Sequence, residues 1–158
     1  MTVGLDSVGN MWLINIVRER LRHNQILHKI VEQYKEYSPR SVYIEAVQGQ
    51  DYIVQDLENG TWEGNIVLPV DRIDNKLVRM GKEIRIQTLD PVFEQRKINV
   101  PSSSDWWVDF CDEMISFPRG QHDDMLDALA YAKYCLIEPS GYKIDIDAII
   151  NQPSHTVF

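Results

Sequence analysis

Gln121-His122-Asp123-Asp124-Met125-Leu126-Asp127-Ala128-Leu129-Ala130-Tyr131 sets three carboxylates within five residues at the start of a helix. Met125, Ala128, Leu129, Ala132 and Leu136 recur at i, i+3, i+4, i+7 and i+11, an apolar stripe that buries one side of that helix. Asp123 and Asp127 are four apart, Asp124 and Asp127 three, so all three gather near one edge of its first turns. Like charges so placed repel, and no basic residue follows until Lys133. A helix N-terminus offsets part of that cost through its dipole and free N–H groups, so an acidic N-cap and first turn is one reading. A divalent cation is the sharper one, because it converts repulsion into ligation.

The rest of the chain bounds the choice. At 158 residues, with 44% hydrophobic residues, four Trp and seven Tyr, it is long and apolar enough to close the core of a single globular domain. No apolar run approaches the ~18 residues of a membrane span, and the N-terminus has no basic-then-apolar signal pattern. Cys111 and Cys135 have no CxxC spacing and read as reduced core thiols of a cytoplasmic protein. A net charge of −8 argues against holding nucleic acid by bulk electrostatics, yet permits a local basic groove around an acidic site.

Thr2–Leu5 and Met11–Val17 read as strands joined by Asp6-Ser7-Val8-Gly9-Asn10, a hairpin turn with Gly and Asn for positive φ. An amphipathic helix follows over Asn24–Tyr37, with Leu27, Ile30, Val31 and Tyr34 on one face and Ser38-Pro39 as its stop. Ser41–Val47 is β-branched and aromatic, as a buried strand requires, and Glu45 follows directly on its apolar run. A carboxylate there is either a solvated strand end or a site residue at the rim of an α/β sheet. Tyr52–Leu57 is a short helix closed by Glu58-Asn59-Gly60, and Ile66–Val70 a further strand. Lys76 and Arg79 share a face if their segment is helical; residues 72–97 hold much of the positive charge, for which a solvated helical face is the plain explanation. Residues 101–107 form a loop and N-cap before a helix over Trp106–Ile115. The tail 138–158 is broken by Pro and Gly and packs loosely. Alternating strands and helices predict an α/β domain over residues 1–137, a mixed sheet flanked by helices.

Hydrolysis of a phosphodiester with two metals needs carboxylates from separate elements to converge. Glu45 and the aspartates of 123–127 supply such a set. In their order and spacing the motifs resemble the C-terminal nuclease domain of the phage terminase large subunit, an RNase H-like fold of the RuvC type. The matching pieces are Val3–Leu13 with Arg18, Val42-Tyr43-Ile44-Glu45, Asn75-Lys76 with Arg79, and Ser116–Leu129. The resemblance covers residues 2 to 137, and its last motif is the specific one.

It implies a metal-dependent endonuclease that cleaves double-stranded DNA during DNA packaging by a bacteriophage or prophage, in the host cytoplasm. Mg²⁺ or Mn²⁺ is the implied cofactor. Glu45 corresponds to the second metal-binding carboxylate and Asp124 to the last, with Asp123 its competitor; Asp127 falls where resolvase-like relatives place a further ligand. His122 would orient a water or phosphate, or simply cap the helix. Lys76 and Arg79 correspond to basic residues near the DNA backbone. Implied partners are DNA, the terminase ATPase domain, the small terminase subunit and the portal, with no membrane. One departure stands out: the family's sheet begins with a strand bearing the first catalytic Asp, whereas this chain begins at the second strand, as if N-terminally truncated. Asp6 could replace that carboxylate, or merely close its hairpin. Thr2–Leu5 could take the central place in the sheet, the strands could close up in another order, or another polypeptide could supply the strand.

Three function classes follow. The first is the Mg²⁺- or Mn²⁺-dependent endonuclease; oxygen-only ligands suit a hard cation, while the cysteines and His28 lack the clustering zinc needs. The second is a catalytically incomplete terminase fragment that binds DNA or protein. The third is an unrelated α/β binding module.

Overall fold

The computed structural model describes residues 1–45, 51–60 and 65–137. Their elements are β1 (Thr2–Leu5), β2 (Met11–Asn15), α1 (His23–Tyr37), β3 (Val42–Ile44), α2 (Asp51–Asn59), β4 (Val70–Arg72), α3 (Asn75–Arg79), α4 (Lys82–Gln87), α5 (Asp90–Glu94), β5 (Ile98–Asn99), α6 (Trp107–Ser116) and α7 (Asp124–Ile137). They divide into two compact units, one of residues 1–18 with the segment from Met80 onward, the other of residues 19–79.

The first unit is built on the β1–β2 hairpin. Val3 faces Leu13, Gly4 faces Trp12 and Leu5 faces Met11 in antiparallel register. The turn forms for a local reason. Gly9 takes φ 88°, open to glycine without a Cβ penalty, and the Asp6 carboxylate accepts from the Val8 and Asn10 N–H groups. On its other side β2 receives β5 in parallel, Met11 beside Ile98 and Trp12 beside Asn99. β2 alternates, burying Met11 and Leu13 while Trp12 and Ile14 stay half-exposed. Met11 and Leu13 join Phe110 of α6 and Leu129 of α7, each almost fully buried, with Leu89, Leu126 and Ala130 around them.

α7 begins at Asp124, the Asp127 N–H donating to the Asp123 carbonyl at 3.0 Å. Its buried face is broader than the expected stripe. Leu126, Ala130 and Tyr131 join Met125 and Leu129, while Ala128 is only half-buried.

In the second unit β3 and β4 pair in parallel, Val42 with Val70 through Ile44 with Arg72. Leu27 and Val31 of α1, Ile53 and Leu57 of α2, and Leu68 form its core. Ser38 ends α1 in the left-handed region (φ 46°), its N–H returning to the Tyr34 carbonyl, and Pro39 forbids another turn. The strand expected at Ile66–Val70 is displaced to Val70–Arg72. Pro69 has no N–H to contribute, and the Leu68 N–H goes to the Leu57 carbonyl at 3.2 Å instead of to a ladder. β3 is shorter than Ser41–Val47 and half-buried rather than buried; Ala46 and Val47 lie outside the described residues, as does the tail 138–158.

The fold is therefore mixed α/β with small sheets and flanking helices, as expected. Two details differ. Among the described residues the strands form two sheets, ordered β1-β2-β5 and β3-β4, so β2 and not Thr2–Leu5 is the middle strand of the first. Among the described residues Cys111 and Cys135 are not disulfide-bonded, and both are half-buried rather than core. Among the described residues no helix is long and apolar enough to cross a membrane.

Candidate functional site

The acidic stretch lies in the first unit, and three side chains from elsewhere in that unit hold it. The first is Glu113 of α6, buried to 4% exposure. Its Oε2 accepts from the backbone N–H of Met125 (2.8 Å) and of Leu126 (3.3 Å), satisfying two donors that a helix start leaves open. Among the described residues its Oε1 has no hydrogen-bond partner, but it lies 3.5 Å from Nη1 of Arg18 in an ion contact. The connector from α6 runs close over that helix. Ser116 Oγ donates back to the Asp112 carbonyl at 2.6 Å, and the Phe117-Pro118 peptide is cis. Gly120 lies so near Ser116 that a Cβ there would stand 2.9 Å from the Ser116 Cβ.

The second is Lys82, at the start of α4. Its Nζ reaches Asp123 Oδ1 at 2.6 Å and Asp124 Oδ1 at 2.7 Å, so adjacent carboxylates converge on one cation. The Lys82 hydrogen bond holds the Asp124 carboxyl below its ordinary range, against partial burial; the charges of Lys82, Arg18 and His122 act in the same sense. On the other side, burial lowers the Lys82 pKa, but the two aspartates outweigh it and raise it overall.

The third is Arg85, one turn further along α4 and 3% exposed. It grips Asp127 with two bonds, Nε to Oδ1 at 2.6 Å and Nη2 to Oδ2 at 3.0 Å. Its Nη1 donates to the Met80 carbonyl at 2.8 Å, and its Cζ lies 4.0 Å from the centre of the Tyr131 ring. This fork-to-carboxylate geometry is the strong form of an ion pair.

Asp6 is committed to its hairpin. Besides the two backbone N–H groups, it accepts from Asn10 Nδ2 at 2.8 Å and Trp12 Nε1 at 3.2 Å. Burial raises its pKa, but these bonds together bring it below the ordinary value. His122 is exposed. The remaining sequence-predicted residues belong to the second unit. Glu45 is half-buried and follows Ile44, whose carbonyl takes the Ile73 N–H at 3.0 Å. Asp74 opens α3, its carboxylate accepting from the Lys76 N–H at 2.7 Å, and α3 carries Lys76 and Arg79 exposed and three residues apart.

Hard oxygen donors that already meet at one positive charge suit Mg²⁺ or Mn²⁺. Asp123 and Asp124 pass that test of donor type. Asp127 has both oxygens on Arg85, so ligation through it requires that pair to open. Among the described residues no group of three or more His, Cys, Asp or Glu side chains could hold an ion, so the pair needs another donor.

Sequence reasoning missed Lys82, Arg85 and Glu113. The first two carried a readable signal: they stand three apart, as Asp124 and Asp127 do, so two helices packed side by side can match charge for charge. Glu113 falls three residues after Phe110, on the face that α6 buries.

The model of the terminase RNaseH-like domain family matches residues 5–134. No curated protein and no solved structure matches the chain.

Proposed function

We propose, since this chain belongs to the terminase RNaseH-like domain family, that it is the nuclease domain of a phage DNA-packaging terminase and cuts double-stranded DNA with Mg²⁺ or Mn²⁺. The observation that carries this reading is the meeting of Asp123 and Asp124 at one cation where α7 begins. Asp123 and Asp124 would hold the ion, and Asp127 would join after release from Arg85; Glu45, which follows β3, is the metal-binding carboxylate that the family pattern implies in the second unit. When bound, such an ion would supply Lewis acidity toward the phosphodiester.

The chain's own residues do the rest. Arg85 fixes Asp127 and so the rotation of α7 against α4. Lys82 neutralises Asp123 and Asp124 and, with those carboxylates on an ion instead, would be placed to face a phosphate. Lys76 and Arg79, exposed together on α3, would take the DNA backbone, fixing register rather than reading sequence. The ATPase domain, small subunit and portal are the partners of such a domain, and the host cytoplasm its setting.

Titrating Mn²⁺ into folded protein while following supercoiled plasmid tests the reading. Nicking or linearisation that disappears in Glu45→Ala and Asp124→Ala supports it; activity that survives both substitutions overturns the site. A second reading, a terminase module that binds DNA or protein without cutting, is favoured by one observation: Lys82 already neutralises the two aspartates that converge. Folded protein that shifts DNA but does not cut at millimolar Mn²⁺ would select it.

A further inference from the structure

The turn that presents Asp123 and Asp124 is held from outside its own helix. A helix start is ordinarily capped by the side chain of the residue at its threshold, whose oxygen accepts an N–H two or three positions on. Asp123 stands at that threshold, yet its Oδ1 goes to Lys82. The acceptor comes instead from Glu113, twelve residues before Met125, which takes the N–H groups of Met125 and Leu126 on a single oxygen. Its side chain is only 3% exposed, so water cannot substitute for it. A carboxylate there also meets the positive end of the helix dipole. Arg18 ties the arrangement to the strand side of the unit, touching Glu113 at 3.5 Å while its charge also acts on Asp124.

We infer that Glu113 is a positioning residue: by capping α7 from α6 it relieves Asp123 of that task and fixes the turn from which Asp123 and Asp124 reach a cation. The inference rests on the metal-binding reading of that aspartate pair. It adds a residue that touches neither ion nor DNA, and that acts through two backbone amides.

Two variants separate position from bulk stability. Glu113→Met keeps the length and burial of the side chain and removes the acceptor; Glu113→Gln keeps an acceptor oxygen and removes the charge. Amide hydrogen exchange at Met125 and Leu126 reports the cap directly. Mn²⁺ affinity, by calorimetry or by the spin signal of free Mn²⁺, reports the aspartates. Loss of a side chain that orients metal ligands weakens affinity by about 10- to 100-fold. Glu113→Met should therefore expose both amides and weaken Mn²⁺ by about tenfold or more, while Glu113→Gln restores both to within about threefold of the parent.

Amides that stay protected in Glu113→Met overturn the inference. So do exposed amides with unchanged Mn²⁺ affinity, because the cap would then not govern the aspartates. Should Glu113→Met fail to fold, Glu113→Asp, one methylene short of the two amides, carries the same expectations and the same refutations. If the parent protein binds no Mn²⁺, the metal reading fails and the inference about Mn²⁺ fails with it; the amide arm still decides whether Glu113 caps α7.

Discussion

Replacing Asp127 by Asn leaves the Arg85 guanidinium charged, 4% exposed and facing an amide in place of a carboxylate. Removing one partner of a buried ion pair costs about 3–5 kcal/mol, most of it from the charge left behind. The Asn oxygen can still accept one bond, and Met80 and Tyr131 still engage the guanidinium, which places Asp127→Asn at about 3–4 kcal/mol. Arg85→Met strands the other charge. Asp127 is 14% exposed and partly rehydrates, so about 2–3 kcal/mol is expected there. The double variant should cost less than the two singles together, with a coupling of about 2 kcal/mol. At roughly 2–4 °C per kcal/mol for a chain of this size, Asp127→Asn lowers Tm by about 6–16 °C. Urea and thermal unfolding followed by circular dichroism on all four proteins measures the cycle. Singles within about 1 kcal/mol of the parent, or costs that add without coupling, would refute the claim that this pair clamps α7 to α4.

Lys82→Met should tighten Mn²⁺ binding by roughly two- to thirtyfold. Two part-exposed ion pairs worth about 0.2–1 kcal/mol each no longer compete for Asp123 and Asp124, and calorimetry that finds weaker binding contradicts the competition. The Asp6 and Asp124 carboxyls are both depressed below their ordinary value of 3.8. The stability they contribute is therefore complete above that value and is lost as pH falls through the lower folded ones. Urea midpoints from pH 6 to 2 should fall less steeply for Asp6→Asn than for the parent, whereas parallel curves would show that Asp6 titrates normally. Gly120→Ala should cost about 1–3 kcal/mol through overpacking against Ser116, and Ser116→Gly in the same chain should recover most of it. Equal unfolding midpoints for Gly120→Ala and the parent would show that the connector has room to move.

The elements with a local cause were legible in the chain. Gly9, and Asp6 with Asn10, announce a hairpin because a tight turn needs positive φ and a short side chain to accept its N–H groups. Ser38-Pro39 stops α1 by chemistry confined to two residues. What escaped was decided at a distance. Pro69 moves β4 downstream only because Leu57 and Val42 lie beside it to take over the bonding of Leu68 and Pro69. Arg85 read as part of a solvated basic run because nothing within its own helix says that Asp127, 42 residues later, receives it. The same holds for the acidic stretch. Its helix and its crowded charges were visible, but the sharing of Lys82 between Asp123 and Asp124, and the handing of the cap to Glu113, belong to tertiary contact. The short α4, α5 and β5 lack a sustained period, and pattern reading passes over them.

The division of the chain has a consequence for the order in which it is made. Residues 19–79 are continuous, so as the polypeptide leaves the ribosome that unit holds all its own partners once Arg79 is out. The β1–β2 hairpin is synthesised earlier, yet the Phe110 and Leu129 that bury Met11 and Leu13 arrive about a hundred residues afterwards. Joining such distant segments adds little to the loop-closure cost, which grows only with the logarithm of length, but it slows folding. An early hairpin with an uncovered apolar face must therefore wait for the residues that cover it, and during that interval the nascent chain is most exposed to aggregation.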